Sequence, residues 1–541
     1  MKQRLAAFLA DTPLTGRTFR RFYAGALGSA FGFAMQGTVA AWLMATLTPS
    51  EFMVAMVQSA ATVPALIFGL VAGAVSDIFE RRSVLLVTQF TLVLTLVALA
   101  AGSFAGLVGP TALLVLTFVV GCAMAFYLPA QWASVNDLVG RGQLPRAVAL
   151  FSVANNVARA AGPALAGALT VWLGAGAGFT GAALCSTVMI FAAWRLRTPR
   201  PPSRLRETVF AGMWSGLRFI RHSEMHRALN IRTFAFVFNS AAFWGLLPLV
   251  ARDLLHLGAD GFGFLLTGFG LGAIAAGATI PAQMRKRSLH AIVIRSNLLW
   301  SAALVVVAFA PHLLVALIGT ALAGAAWVQS LASVSTGAQS NAPDWVRARA
   351  LSVNFMCVQA GLALGSAVWG AVASSFGVRG ALLGSMVGML FAVLATRRWQ
   401  LAMGNEADIK LTAPRTDLAY TVEPAPDEGP ILIQAEYRVA PEQRAAFLDA
   451  LFALEPARRR NGASRWGVFR DLEDPTRLTE RFMVDSWGEY MRWRQRATAA
   501  DLEVQDRMVA LLMPGTTPVI TRMIGMGQEE LLPAVERDEP A

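Results

Sequence analysis

The sequence predicts an all-α membrane protein with twelve transmembrane helices in two pseudo-symmetric six-helix halves, followed by a small α+β domain. Three observations support this prediction. Of the 541 residues, 55% are hydrophobic and 15% are charged, whereas soluble proteins average about 25% charged residues. Up to residue 396 the apolar residues form long runs that contain few charges. Beyond residue 430, short alternating apolar segments take their place.

Each long apolar run is counted as one membrane span, because a bilayer core of about 30 Å is crossed by about 20 helical residues. Two sets of six runs are present. The first set covers residues 22–47, 52–75, 84–106, 110–130, 147–172 and 175–194, and the second covers 233–251, 262–283, 291–310, 312–335, 350–375 and 378–396. The first run is too long for the core of a cleaved secretory signal, so we expect it to remain a membrane helix.

Basic residues gather on alternate connections between the spans. They lie before the first span (Lys2, Arg4, Arg17, Arg20, Arg21) and after the second (Arg81, Arg82), the fourth (Arg141, Arg146), the sixth (eight arginines from Arg195 to Arg227), the eighth (Arg285, Lys286, Arg287) and the tenth (Arg347, Arg349). The other connections carry only Arg252 and Arg379. The positive-inside rule then places both termini in the cytoplasm, and we expect a multi-pass protein of the bacterial plasma (inner) membrane.

The charge balance differs between the membrane part and the tail. The net charge of +12 divides into +15 for residues 1–429 and −3 for residues 430–541. The excess of basic residues is therefore explained by the cytoplasmic connections, and no nucleic-acid partner is predicted.

The two sets of spans carry a repeated pattern. "GAVSDIFERRS" begins at Gly73 and "GATIPAQMRKRS" begins at Gly277, and in both a glycine precedes two basic residues by eight and nine positions. The pairs Arg146 and Arg349, Gly162 and Gly365, and Gly167 and Gly370 are each 203 residues apart. A near-constant offset predicts that the second six helices repeat the first six. Repeated helix bundles of this kind are typical of transporters that bind their substrate near the membrane midplane.

The connection after the second span resembles the signature loop of the major facilitator superfamily. Gly73, Asp77, Arg81 and Arg82 match that pattern, although Ile78 stands where a basic residue is usual. "LPAQWASVNDLV" and "AVALFSVANNVARAAGPALAGAL" are similar to one branch, the transmembrane secretion effectors, which include the enterobactin exporter. The resemblance implies a twelve-helix secondary active exporter of a small molecule, such as a siderophore or a drug, that works by alternating access. An importer or lipid flippase on the same fold is the alternative.

The resemblance also implies roles for two groups of residues. The loop residues Gly73, Asp77, Arg81 and Arg82, with Arg285 and Lys286 in the repeat, would form a charge latch between cytoplasmic helix ends, unless these arginines serve only to orient the protein. In "ARAAGPALAG", Gly162, Pro163 and Gly167 are similar to the Gly-Pro motif of antiporters. Proline kinks a helix and small residues allow close helix packing, so ordinary packing is the alternative there.

Polar residues inside the spans are candidates for a substrate cavity. Arg159 is the charge deepest within a predicted span, and it should face the protein interior or a cavity because lipid exposure is costly. The amide candidates are Gln36, Gln58, Asn155, Asn156, Asn239, Asn354 and Gln359. Together they predict a cavity suited to an anionic or polar substrate, whereas the alternative is that Arg159 bonds helix-end carbonyls. No Asp or Glu lies in the middle of a span, so the coupling ion is left open.

No metal or cofactor is predicted. Cys122, Cys185 and Cys357 all fall within spans, and the five histidines are scattered without metal-ligand spacing.

The tail is predicted to form a separate cytoplasmic domain. "ILIQAEYRV" alternates as a half-buried strand, and the order of elements that follows predicts a βαββαβ ferredoxin-like domain, resembling the dimeric α/β-barrel modules of monooxygenases and haem-degrading enzymes. Residues 401–541 contain no histidine or cysteine. A haem or metal site would need such a ligand, so we expect no catalysis and the protein is not predicted to be an enzyme. We expect the domain to self-associate, because an apolar sheet face exposed to water is unfavourable. A fused monooxygenase-like enzyme is the alternative.

The predicted domain boundaries follow from these elements. They are 1–195 for the first six-helix half, 196–228 for a cytoplasmic loop, 229–400 for the second half, 401–429 for a linker, 430–530 for the ferredoxin-like domain and 531–541 for the tail.

Overall fold

A computed structural model describes residues 13–139, 143–196, 209–412 and 423–526. Seven of the basic residues counted above lie outside these ranges: Lys2, Arg4, Arg141 and, from the connection after the sixth span, Arg197, Arg200, Arg204 and Arg206. The predicted 531–541 tail also lies outside them. The side chain of Asp77 is also outside the described part, although its backbone belongs to a helix.

Long helices make up most of the described chain before residue 400. The first six are α1 (Arg17–Leu47), α2 (Glu51–Ile78), α3 (Arg81–Phe104), α4 (Pro110–Leu138), α5 (Leu144–Leu173) and α6 (Ala175–Trp194). The next six are α7 (Val209–Arg221), α8 (Glu224–Leu249), α9 (Ala259–Lys286), α10 (Leu289–Ala308), α11 (Leu313–Ser340) and α12 (Asp344–Thr396). A π-helical turn, Val250–Leu254, extends α8.

Helix α12 contains a break that divides it into two span-sized pieces. Its 53 residues would measure about 80 Å as one straight helix, which is more than twice the thickness of a bilayer core. Gly377 has φ 71° and ψ 169°, a conformation that glycine adopts without a steric penalty. The break coincides with the predicted boundary between the last two spans.

Ten helices in the described part of the chain are long and apolar enough to cross a membrane. The predicted count of twelve is higher for two reasons. Helix α12 is one of the ten although it contains the break at Gly377. Helix α5 is not among the ten, because Asn155, Asn156 and Arg159 lower its mean hydropathy.

The chain forms two compact units. The first contains the described parts of residues 1–206 with 228–335 and 354–402, and its core is a continuous cluster of buried apolar side chains from the long helices. The second contains residues 207–227, 336–353 and the described part of 403–541. The second unit therefore combines the C-terminal domain with α7 and with the connection between α11 and α12.

The C-terminal domain has its own sheet and core. Four antiparallel strands, β1 (Ile431–Arg438), β2 (Ser464–Arg470), β3 (Arg477–Val484) and β4 (Val519–Ile524), are arranged in the order β2-β3-β1-β4. The helices are α13 (Glu406–Ile409) in the linker, α14 (Arg444–Asn461) after β1, and α15 (Trp487–Gln495) and α16 (Ala499–Val509) after β3. The alternation predicted for β1 is confirmed, since Ile431, Ile433, Ala435 and Tyr437 are buried.

Candidate functional site

Helix α5 carries a polar face and an apolar face that are both exposed. Ser152, Asn155 and Arg159 are exposed on one side, and Val153 and Val157 are exposed on the other. The spacing of 3.6 residues per turn separates these two faces by roughly half a turn. An arginine facing lipid is costly, so the apolar face is the one suited to lipid and the polar face is suited to a water-filled cavity.

The remaining cavity candidates are distributed between helix contacts and half-buried positions. Asn354 is buried, and its Nδ2 donates to Asn230 Oδ1 at 2.9 Å and to Thr233 Oγ1 at 3.0 Å. Asn239 is buried and donates to the Ala235 carbonyl at 2.8 Å. These two amides thus make structural hydrogen bonds in the second set of helices. Gln36 is also buried, whereas Gln58, Asn156 and Gln359 are half-buried.

Small residues bring the first and second sets of helices into contact at two places. One of these contacts is between α5 and α9. A Cβ added at Gly167 would lie 2.7 Å from the Ala259 carbonyl oxygen, and one at Gly263 would lie 2.7 Å from the Pro163 carbonyl oxygen. The hydroxyl of Thr267 donates to the Ala160 carbonyl at 3.1 Å. The predicted Gly-Pro motif of α5 therefore forms a close helix contact.

A second contact joins α2 to α12 and repeats the first. A Cβ added at Gly370 would lie 2.6 Å from Ala55 Cβ, and the Ser59 hydroxyl donates to the Ala363 carbonyl at 2.7 Å. Gly370 follows Gly167 by 203 residues, and Ala259 follows Ala55 by 204. The offset read from the sequence thus relates the two contacts to each other.

Arg252 adds a polar contact at the same end of the bundle. This end, where α1 finishes at Leu47 and α2 begins at Glu51, is called the closed end below. The Arg252 guanidinium donates to the carbonyls of Ala45 and Thr48, which end α1. Asp253 holds the same guanidinium through two hydrogen bonds of 2.5 and 2.9 Å. Arg252 was an exception to the charge pattern of the connections, and the structure gives it a bonding role.

At the opposite end, where α2 meets α3, the described contacts include a charged pair within the first set of helices. Arg81 pairs with Asp137 at the end of α4, and it also donates to the Ala133 carbonyl at 3.0 Å. A Cβ added at Gly69 or Gly73 would meet no described atom within 4 Å. This end is called the charged end.

The residues of the predicted charge latch lie at the ends of helices. Arg81 links the ends of α3 and α4, both in the first set of helices. Arg82 is half-buried, and Arg285 and Lys286 are exposed in the last turn of α9. A latch through Asp77 stays a prediction.

Two structural features were not predicted from the sequence. Asp137 is the partner of Arg81, and its position near basic residues of the next connection was the available signal. Arg232 is 3% exposed and donates to the Thr396 and Trp399 carbonyls at 2.6 and 2.8 Å. It stabilises the end of α12, where unpaired carbonyls carry partial negative charge. The described residues contain no group of three or more His, Cys, Asp or Glu side chains able to hold a metal ion.

The chain matches one protein-family model and is similar to two transporters of known function. A family model described as transmembrane secretion effector matches residues 9–530, including the C-terminal domain. The multidrug efflux pump Tap of Mycolicibacterium fortuitum is 24% identical over 370 residues, covering 64% of this chain and 87% of that protein. The staphyloferrin A transporter of Staphylococcus aureus (strain NCTC 8325 / PS 47) is 22% identical over 348 residues, covering 62% and 85%.

Solved structures with a similar fold are also membrane transporters. The nucleoside transporter NupG superposes with a TM-score of 0.61 at 13% identity, covering 71% of this chain and 99% of NupG. An inward-facing, unoccupied bacterial homologue of the human lysosomal transporter Spinster gives a TM-score of 0.56 at 14% identity, covering 71% and 97%. These likenesses establish the fold of the membrane part.

Proposed function

Because the chain belongs to the transmembrane secretion effector family of the major facilitator superfamily, we propose that this membrane transporter exports a small molecule, such as a siderophore or a drug, by alternating access. The family makes it a transporter and not an enzyme. The direction of transport is supported by the family description and by the relative named as an efflux pump. The observation that carries the proposal is the exposed polar face of α5 around Arg159.

The proposed membrane part has twelve spans in two pseudo-symmetric halves. The break at Gly377 divides α12 into two spans, and α5 is long enough at 30 residues to cross a bilayer despite its polar face. The halves are supported by the paired contacts at Gly167 and Gly370. The corresponding domains are 1–195 and 229–400, with both termini in the cytoplasm of a bacterial inner membrane, as the distribution of basic residues predicts.

The proposed conformation is open toward the cytoplasm. Close contacts between the halves occur at the closed end and near the middle of the helices, whereas a Cβ added at Gly69 or Gly73 near the charged end would meet no described atom within 4 Å. The charged end carries the basic connections and so is assigned to the cytoplasm. An exporter in this state is ready to take up its substrate from the cytoplasm.

The proposed substrate is anionic or polar. Arg159 supplies a fixed positive charge, and Asn155 and Ser152 on the same face supply hydrogen-bonding groups. The buried amide of Asn354 is already used in a contact between helices, and that of Asn239 donates to a carbonyl of its own helix. The residues of α5, with the half-buried Gln58 and Gln359, are therefore proposed to contact the substrate.

The proposed C-terminal domain, residues 430–530, is a ferredoxin-like domain without catalytic function. The element order βαββαβ and the sheet order β2-β3-β1-β4 support this fold. Trp466, Trp487 and Tyr490 are buried in its core, which supports a packing role for the aromatic residues that a monooxygenase-like site would have used.

A comparison of strains tests the proposed export. A deletion strain and strains that carry the wild-type protein or Arg159→Gln are exposed to a panel of anionic, neutral and cationic compounds, and secreted metabolites are measured. Export predicts that the deletion strain accumulates at least one compound, and that the wild-type protein restores its efflux. Restored uptake instead of efflux would identify an importer and contradict the proposal.

A further inference from the structure

The C-terminal domain contacts α7 through a shielded ion pair. Glu489 of α15 accepts hydrogen bonds from three arginines. Two of them belong to the domain, Arg492 at 2.8 Å and Arg496 at 2.7 Å, and the third is Arg218 of α7 at 2.6 Å. The side chains of Arg218 and Glu489 are only 14% and 12% exposed. Charge-assisted bonds of this kind are stronger than neutral ones, so α7 is held firmly by the domain.

A second contact joins the domain to the first turn of α12. The guanidinium carbon of Arg496 lies 4.1 Å from the centre of the Trp345 ring. Arg496 is 4% exposed and also donates to the Asn461 carbonyl at 3.0 Å. A cation over an indole ring is stabilised most when both groups are shielded from water, and this pair meets that condition.

Helix α7 and the connection between α11 and α12 pack against each other. Phe219 and Ile220 of α7 are buried together with Ala342, Val346 and Ala350. On the same contact, Arg349 donates to the Ser215 hydroxyl at 2.7 Å. The C-terminal domain therefore contacts α7 and the connection between α11 and α12, and these two segments also pack against each other.

The described parts of the linker are tied down as well. The backbone N–H of Gly404 donates to the Ser340 hydroxyl at 3.2 Å. Further along, the N–H of Thr412 donates to the Ala497 carbonyl, and the N–H of Ala499 donates to the Lys410 carbonyl, both at 3.0 Å. The described part of the linker is thus bonded to the end of α11 at Gly404 and to the C-terminal domain at Lys410 and Thr412.

We propose that the C-terminal domain is a clamp on the start of α12 that favours the arrangement in which the closed end is shut. Helix α12 has no non-helical residue before Gly377. The same stretch begins with Trp345 and carries the closed-end contacts of Ala363 and Gly370. Long helices bend only gently along their length, so holding the start of this stretch biases the position of its far end. This inference rests on the proposed alternating access.

The test uses full-length proteins and two measurements that need no substrate. Arg218→Ala removes the ion pair, and Arg221→Ala is the matched control, because Arg221 is exposed and lies on the same helix. Hydrogen exchange of residues 209–221 and 342–350 reports docking. Labelling of Ser152→Cys by an impermeant maleimide from outside the cell, in a protein whose native cysteines are replaced by serine, reports opening of the closed end.

The clamp predicts that Arg218→Ala raises both exchange and outside labelling, by about two- to fivefold for a partly shielded ion pair, while Arg221→Ala changes neither. Arg218→Lys, which keeps the charge, should lie between the two and serves if Arg218→Ala fails to reach the membrane. Unchanged exchange would overturn the docking, and raised exchange with unchanged labelling would overturn the clamp. If no variant of the transporter is labelled from outside, alternating access fails, whereas exchange still reports docking.

Discussion

Adding a single methyl group at Gly167 should open the closed end of the transporter. In Gly167→Ala the new Cβ would lie 2.7 Å from the Ala259 carbonyl oxygen and 3.3 Å from its carbonyl carbon. The obstacle is backbone, which cannot rotate away as a side chain does, so α5 and α9 must separate. Overpacking of this kind costs about 1–3 kcal/mol.

In the proposed alternating access, this cost applies to the state in which α5 and α9 touch, so it shifts the equilibrium between that state and the state in which they separate. A difference of about 1–3 kcal/mol corresponds to roughly 5- to 150-fold in an equilibrium constant. Gly37→Ala is the matched control, because a Cβ at Gly37 of α1 meets no described atom within 4 Å. The gain in helix propensity from glycine to alanine is common to both states and cancels.

The assay is outside labelling of the Ser152→Cys reporter in intact cells, combined with efflux of a transported compound. Gly167→Ala should label at least about fivefold faster than the reporter alone and should transport more slowly, whereas Gly37→Ala should match the reporter in both. Equal labelling of the two variants at equal membrane expression would refute the assignment of this contact to the shut state.

Three other predictions follow from the site and from the C-terminal domain. Arg159→Gln should reduce efflux of anionic substrates at least about tenfold more than that of neutral ones, while Arg159→Lys keeps most of it; equal loss for all substrates with poor expression would indicate a structural role. The isolated domain, residues 430–530, should self-associate and bind no haem, which sedimentation and absorbance spectra would check; a monomeric or haem-binding fragment would contradict this. Burial raises the pKa of Glu489, but Arg496, Arg492 and Arg218 outweigh this effect and keep the pKa below the ordinary glutamate value. The ion pair therefore stabilises docking at neutral pH and weakens only as the pH falls below about 4.3, where hydrogen exchange in α7 should rise.

The membrane helices could be predicted from the sequence because lipid imposes a simple rule on composition. Every apolar run lies largely within a helix of the described chain, and the last two runs share α12. Among the helices that contain these runs, α5 alone is not counted as a candidate span in the described chain, because of the polar residues that the sequence also marks as cavity candidates. The two close contacts at Gly167 and Gly370 also keep the 203-residue spacing of the sequence, because small residues allow helices to approach closely. Local physical requirements of this kind restrict the residue type at single positions, so they can be read from the sequence.

The sequence alone does not indicate which distant residues pair with each other. Arg218 and Glu489 are 271 positions apart, and each is an ordinary charged residue of a surface helix in the sequence. The amides raise a different difficulty for a prediction from sequence. Asn239 and Asn354 are cavity candidates because they are polar, but in the structure Asn354 donates to Asn230 and Thr233, and Asn239 donates to the Ala235 carbonyl of its own helix. Only the three-dimensional contacts show which polar side chains are already bonded within the helix bundle.

Arg252 occupies a special position in the internal repeat, and this position allows a strict test of its role. The offset of 204 residues that relates Ala259 to Ala55 also relates Arg252 to Thr48, and the Arg252 guanidinium donates to the Thr48 carbonyl. In the proposed arrangement of two related halves, a residue that contacts its own counterpart would lie close to the axis that relates them, where exchanging the two side chains should preserve much of the interaction.

Arg252→Thr should therefore increase outside labelling of the reporter, because the end of α1 loses its donor and the closed end opens more often. Adding Thr48→Arg to that variant should restore part of the closure, since the new guanidinium would reach the carbonyls at the end of α8 from the other side of the axis. Restoration is expected to be incomplete, because Asp253 is adjacent to position 252 and has no acidic counterpart beside position 48. Thr48→Arg alone, which places two arginines at the axis, should also label faster through charge repulsion. A double variant that labels as fast as Arg252→Thr alone would show that Arg252 acts through its local partner only and not through the symmetry of the two halves.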